Sequence, residues 1–260
     1  MGVSEQYTKE SEGVSISLRA VTVGYGQVAV LRDLAYEIPA GRFVGFMGVN
    51  GVGKSTLLRT MMGVLMPLGG EIEYGSDEGT LARLGSTTLV MPPQLECSDR
   101  LRIPSLLARS GIRLIDDGHL FLQMPVIDNL RFAYRVNGGD QMVSREALVC
   151  ELQVRFKELQ FLWEKFMDRR GKILIRKAAE LSGGERRILA VLCGLIARPK
   201  VILFDEPSMG MARPVVEQLF RLVQSWRERP NRPTILIADQ FEHMLRQSVD
   251  DAVRIESQSE

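Results

Sequence analysis

The sequence predicts an α/β fold: a central, mostly parallel sheet with an antiparallel β part and an inserted helical lobe. Three observations lead there. Short β-rich segments recur at 15–23, 43–47, 71–74, 87–91, 201–205 and 234–238, with helical patterns between several of them, the alternation that builds parallel sheets. The segments at 43–47 and 201–205 are almost wholly apolar, as buried strands are. From 147 to 166, Leu148, Leu152, Phe156, Leu159, Trp163 and Phe166 recur at three- and four-residue intervals, which is one face of an amphipathic helix. With the region from about Asp128 onward, that helix predicts a lobe over about 118–194 set into the α/β core.

Residues 1–260 are expected to form a single domain, with 1–13 a loose polar tail. No internal repeat or low-complexity tract interrupts it. A 45% hydrophobic content is ample for a packed core. The 33 basic and 32 acidic side chains leave a formal charge of +1, which argues against nucleic acid or an anionic membrane surface as the main partner. Cys97, Cys150 and Cys193 stand singly, without metal-ligand spacing, and read as reduced, mostly buried thiols of a cytoplasmic protein. The apolar run around 189–197, the longest stretch of its kind, falls far short of the roughly 20 residues that span a bilayer. The opening MGVSEQYTKESEG lacks the apolar stretch of a secretory signal. Direct membrane insertion is therefore not expected.

The first chemical motif follows the strand at 43–47. GVNGVGKST (48–56) fits G-x-x-x-x-G-K-[ST], and the helical stretch 57–65 comes after it, the strand-loop-helix setting that makes the motif meaningful. Gly48, Gly51 and Gly53 let backbone N–H groups close around a phosphate, and Asn50 lies in the same loop. The helix start at Thr56 adds positive potential, Lys54 reaches the terminal phosphates, and the Ser55 hydroxyl can ligate Mg²⁺. The site thus expected takes a phosphate-bearing ligand with Mg²⁺.

The second motif is VILFDE (201–206), an acidic pair at the end of an apolar strand. Burial explains the four apolar residues but not two carboxylates. Phosphoryl transfer to water needs both: Asp205 to hold the metal, Glu206 to polarise the attacking water. The third is LSGGERRI (181–188). Ser182 and Glu185 have capping-box spacing, which leaves Gly183 and Gly184 unexplained.

Taken together, the loop, LSGGE and the acidic strand entered through RPKVILFDEPS resemble the ATP-binding cassette (ABC) ATPases, over about residues 14–255. The resemblance implies that two nucleotide domains close head to tail, so that Ser182, Gly183, Gly184 and Glu185 of one meet the γ-phosphate of ATP held by the other. It implies that Tyr25 stacks on adenine. It also implies a glutamine-loop residue contacting the metal, for which Asp117 in GIRLIDDGHLF fits better than Gln94, with 76–100 then forming an extra hairpin. At the switch position, usually histidine, stands Gln240, which can donate a hydrogen bond but cannot take up a proton near neutral pH. His243 reads as a helix-surface residue.

Ala212 replaces a common aspartate in SMGMARPVVEQL (208–219). That loop and a switch glutamine resemble the ATPases of branched-chain and hydrophobic amino acid uptake, which pair two different ATPase chains. The function implied is the ATP-hydrolysing subunit of a multi-chain importer, working with a second ATPase, as a heterodimer or a homodimer, and with permease subunits at the inner face of the membrane. A binding-only regulatory subunit is the alternative, given Asp117, Ala212 and Gln240. A soluble ABC ATPase acting on nucleic acid or ribosomes fits less well. Lys54 and Asp205 are only 151 positions apart (205 minus 54), leaving no room for a long coil, and the charge is near zero.

Overall fold

A five-stranded parallel sheet carries the loop ends that matter for function. The computed structural model describes residues 13–76, 79–85, 89–90, 103–116, 118, 120–136, 139, 142–155, 172–196, 198–227 and 232–256. The parallel sheet is built from β3 (Phe43–Met47), β7 (Ile112–Ile115), β8 (Val201–Asp205), β9 (Thr234–Ala238) and β10 (Asp251–Arg254) in the order β10-β3-β9-β8-β7. A second, antiparallel sheet has the order β2-β1-β4-β5-β6, from β1 (Ser15–Tyr25), β2 (Val28–Ile38), β4 (Gly69–Ser76), β5 (Gly79–Gly85) and β6 (Leu89–Val90).

Alternation along each parallel strand assigns the two faces. Val44, Phe46, Ile112, Leu114, Val201, Leu203, Leu236 and Ala238 pack toward the antiparallel sheet, together with Leu57, Leu58 and Met61 of α1 (Lys54–Met61) and Leu107 of α2 (Ile103–Arg109). Phe43, Met47, Ile115, Ile202, Phe204, Ile235 and Ile237 point the other way. There they meet α3 (Val126–Val136), α6 (Gly183–Ile196), α7 (Arg213–Trp226) and α8 (Glu242–Ser248). Both faces are dry, which is why β3, β8 and β9 read as unbroken apolar runs.

Helices α3, α4 (Arg145–Arg155), the short α5 (Lys172–Ile175) and α6 lie between β7 and β8 in the chain. Of the expected amphipathic helix, Leu148 and Leu152 are buried on α4. Phe156, Leu159, Trp163 and Phe166 lie outside the described residues. The helix expected at 57–65 begins at Lys54 and ends at Met61, with Gly63 beyond it in left-handed conformation (φ 72°). Within 76–100, β5 and β6 pair as an antiparallel hairpin. Of the strand expected at 87–91, only Leu89–Val90 is described as strand.

Of the two described thiols, one departs from expectation. Cys150 is exposed on α4, because the apolar stripe of that helix runs through Leu148 and Leu152. Burial pushes the Cys193 thiol up to about 12. Cys97 and the tail at 1–12 lie outside the described residues. Among the described residues, no helix is long and apolar enough to cross a membrane.

Candidate functional site

Strands β3, β9, β8 and β7 are parallel neighbours, so their carboxyl ends, and whatever follows each, share one edge of the sheet. That is where open α/β sheets bind ligands. Out of β3 comes the loop 48–53, turning into α1 through Gly53, whose φ of 112° suits glycine. Lys54, the first residue of α1, is buried, and its ammonium donates to the Gly48 carbonyl at 2.8 Å and the Val49 carbonyl at 3.1 Å. A cation is thereby stored inside the curl of the loop. Gly51 and Asn50 are exposed at its tip.

From β8, Asp205 reaches across to α1, and its carboxylate accepts the Ser55 hydroxyl at 2.7 Å. This bond joins residues 150 positions apart. Burial pushes the Asp205 carboxyl above the usual range, and Asp116 pushes the same way; the Ser55 bond and the fields of Arg59 and Arg187 oppose them. A buried carboxylate with a hydroxyl beside it is a donor set that suits Mg²⁺, a hard cation served by oxygen ligands. Arg187, buried one turn into α6, gave no sequence signal for its closeness to Asp205.

Glu206 follows in the left-handed region (φ 46°), and its N–H donates to the Ala238 carbonyl at 2.7 Å. Strand β9, between β3 and β8, delivers Gln240 to the same edge. Gln240 is exposed and its carbonyl accepts the Glu242 N–H at 2.9 Å. Just before it lies Asp239, fully buried, which accepts from the Ser208 N–H (3.1 Å), the Ser208 hydroxyl (2.8 Å) and the Phe241 N–H (2.9 Å). Sequence reasoning passed over Asp239 and Ser208. His243 is exposed on α8.

Tyr25, at the end of β1, is half exposed and lies within 3.4 Å of the Thr56 hydroxyl. An aromatic face thus stands open to solvent beside the loop. At the end of β7, Asp116 accepts the Gly118 N–H at 3.0 Å. Asp117 and Gln94, the two candidates for the glutamine-loop role, lie outside the described residues.

The capping box of α6 is formed. Ser182 N–H donates to the Glu185 carboxylate at 2.8 Å, and Glu185 N–H donates to the Ser182 hydroxyl oxygen at 3.3 Å. Ser182 is exposed, so its own hydroxyl proton is available to an outside acceptor. The two glycines differ. A Cβ on Gly184 would come within 2.4 Å of the Gly210 carbonyl oxygen, whereas one on Gly183 would meet nothing within 4 Å.

A glycine-rich loop between a parallel strand and a helix, its lysine curled inside and its serine bonded to the acidic end of a nearby strand, defines a P-loop nucleotide-binding ATPase fold. The ABC transporter family matches residues 31–209. The chain belongs to that family and is one of its ATPases. It is 28% identical over 243 residues to the high-affinity branched-chain amino acid transport ATP-binding protein BraG of Pseudomonas aeruginosa, covering 93% of this chain and 89% of that one. It is also 28% identical over 237 residues to the maltose/maltodextrin import ATP-binding protein MalK of Escherichia coli, covering 88% of this chain but only 53% of that longer protein. Among solved structures, the ATP-binding cassette MJ0796, as a dimer in a post-hydrolysis state with ADP and Pi, superposes with a TM-score of 0.70 at 20% identity, over 93% of this chain and 94% of that one.

Proposed function

We propose that this chain is the ATP-hydrolysing subunit of a multi-chain ABC importer for amino acids or similar small solutes, acting at the inner face of the membrane through separate permease subunits. The contact between Ser55 and Asp205 at 2.7 Å carries the reading, because it joins the phosphate loop to the acidic strand. The likeness to BraG and the switch glutamine support the solute class.

In this reading Lys54 leaves the Gly48 and Val49 carbonyls for the β- and γ-phosphates, and the loop N–H groups and the α1 terminus hold the remaining phosphate oxygens. Tyr25 stacks on the adenine. Ser55 and Asp205, with Asp117 as a further candidate, would hold Mg²⁺, which when bound neutralises charge on the phosphates. Glu206 accepts a proton from the attacking water and Gln240 donates a hydrogen bond to the γ-phosphate. The capped turn at Ser182 to Glu185 offers its hydroxyl and N–H groups to the ATP of a second ATPase subunit, so nucleotide closes the pair by mass action.

A cleft of about 390 Å³ between α2 and β7 on one side and α3 and α6 on the other, lined in part by Phe121, Phe132 and Val136, supports permease docking beside the helical segment. These three side chains are exposed and apolar, as docking surfaces are.

The test is Glu206→Gln, a substitution that keeps shape and removes the base. It should bind ATP normally and lose steady-state hydrolysis by at least about a hundredfold. Turnover at the wild-type rate would overturn the assignment. MgATP binding without turnover by the wild-type chain, alone and with its partner ATPase, would instead favour a regulatory subunit. Permeases and a second ATPase should copurify with the chain from its native membrane.

A further inference from the structure

We infer that Asp239 is a positioning residue for the hydrolytic site: its buried carboxylate locks the turn that carries Glu206 to the turn that carries Gln240. The inference rests on the roles proposed above for those two residues. Its own ground is geometric. Asp239 is wholly buried and Ser208 nearly so. Both carboxylate oxygens are in use: Oδ2 accepts the Ser208 N–H at 3.1 Å, while Oδ1 accepts the Ser208 hydroxyl at 2.8 Å and the Phe241 N–H at 2.9 Å.

A dehydrated carboxylate is costly unless its lone pairs are satisfied. Here they are satisfied by neutral donors, two of them backbone N–H groups. An ionised carboxylate only accepts, so it can bind N–H groups on two separate turns at once, in bonds stiffer than those between neutral groups. Fastening of that kind suits a need for accuracy.

The two turns are the ones that matter. On one, Glu206 is pinned by its N–H to the Ala238 carbonyl, and its own carbonyl accepts the Met209 N–H at 3.1 Å. Ser208, between them, is held by Asp239. On the other, Gln240 lies between Asp239 and Phe241, which are bonded to each other. Gln240 is therefore framed by the same carboxylate that fixes Ser208. The first turn also abuts α6, where the Gly210 carbonyl faces Gly184, so it cannot shift freely in the other direction. Misplacing a reacting group by about 1 Å costs on the order of a hundredfold in rate, and neither Glu206 nor Gln240 has another buried side chain tying the two turns together among the described residues.

The experiment compares Asp239→Asn, Ser208→Ala, their combination and Glu206→Gln in the full-length chain within the assembly it forms with its partner subunits. ATP affinity, single-turnover hydrolysis and amide hydrogen exchange are measured. Asp239→Asn should slow hydrolysis about ten- to a hundredfold with ATP affinity within about twofold, and Ser208→Ala about three- to tenfold. The double variant should be no slower than Asp239→Asn alone, since both remove one lock. Ser208→Ala should also speed exchange of the Phe241 amide, which Ser208 reaches only through Asp239. Ser208→Ala deletes a single hydroxyl, so it keeps the test open should Asp239→Asn fail to fold.

Wild-type turnover in Ser208→Ala and Asp239→Asn while Glu206→Gln is inactive would overturn the lock and leave the functional reading standing. Fully additive losses would overturn it as well. Wild-type turnover in Glu206→Gln would overturn the functional reading itself.

Discussion

Glu206 holds a backbone conformation (φ 46°) that costs a side-chain-bearing residue about 1–2 kcal/mol. Strain of this kind persists where surroundings over-determine it, and the bond from its N–H to Ala238 is that constraint. Asparagine tolerates the left-handed region better than glutamate. Glu206→Asn should therefore lose ATP turnover yet keep its stability or gain up to about 1 kcal/mol, read from thermal melts without nucleotide. A melting point lowered by several degrees would mean that the glutamate side chain supports the fold. At this scale the sequence was legible wherever chemistry demands a pattern, as in Lys54, Ser55, Asp205 and Glu206. Asp239 was not legible. A single carboxylate after an apolar strand has no partner in sequence, and Ser208 lies 31 residues away.

Among the elements, α6 separates two reasons for a glycine. Gly184 is bare because the Gly210 carbonyl leaves no room, and Gly183 faces open space. Gly184→Ala should then destabilise the chain by about 1–3 kcal/mol. Gly183→Ala should leave stability unchanged or raise it by up to about 1 kcal/mol, while weakening ATP-driven association with the partner ATPase. Denaturant melts and sedimentation with ATP distinguish the two, and equal stability losses would remove the case that Gly183 is kept for an outside ligand. Buried strands β3, β8 and β9 were easy to read because both faces are covered. Strand β2 escaped notice because it lies at a sheet edge, paired among the described residues only with β1, and carries Arg32, Asp33 and Glu37 where solvent tolerates charge. Its irregular backbone at Asp33 (φ 51°) breaks the alternation further. The short β7 and β10 gave too few residues for a period to register.

The molecule as a whole is tied at the edge of the parallel sheet opposite the site. Asp250 accepts the Phe43 N–H at 3.0 Å and the Arg227 guanidinium at 2.6 and 2.9 Å, joining the start of β3 to the end of α7. Burial alone would raise its carboxyl; the Phe43 N–H and Arg227, with Arg42 behind them, outweigh burial and hold it below the usual range. A carboxyl depressed in the folded state adds stability that is present above its unfolded value, about 3.9, and is lost as pH falls through the folded one. Asp250→Asn should cost about 1–3 kcal/mol at neutral pH and flatten the decline of stability below about pH 4, with ATP affinity unchanged. A variant whose acid decline matched wild type would refute the staple.

Strand order sets a condition on how the protein comes into being. β3, which launches the phosphate loop, pairs only with β9 and β10, so its neighbours are encoded nearly 190 residues later than itself (234 minus 47 is 187). Contacts so distant along the chain are slow to form. During synthesis the lysine loop leaves the ribosome early but has no strand to stand on until β9 and β10, from residue 234 onward, emerge. A nascent fragment ending before residue 234 should therefore hold no nucleotide, and capacity to bind ATP should arrive late and all at once.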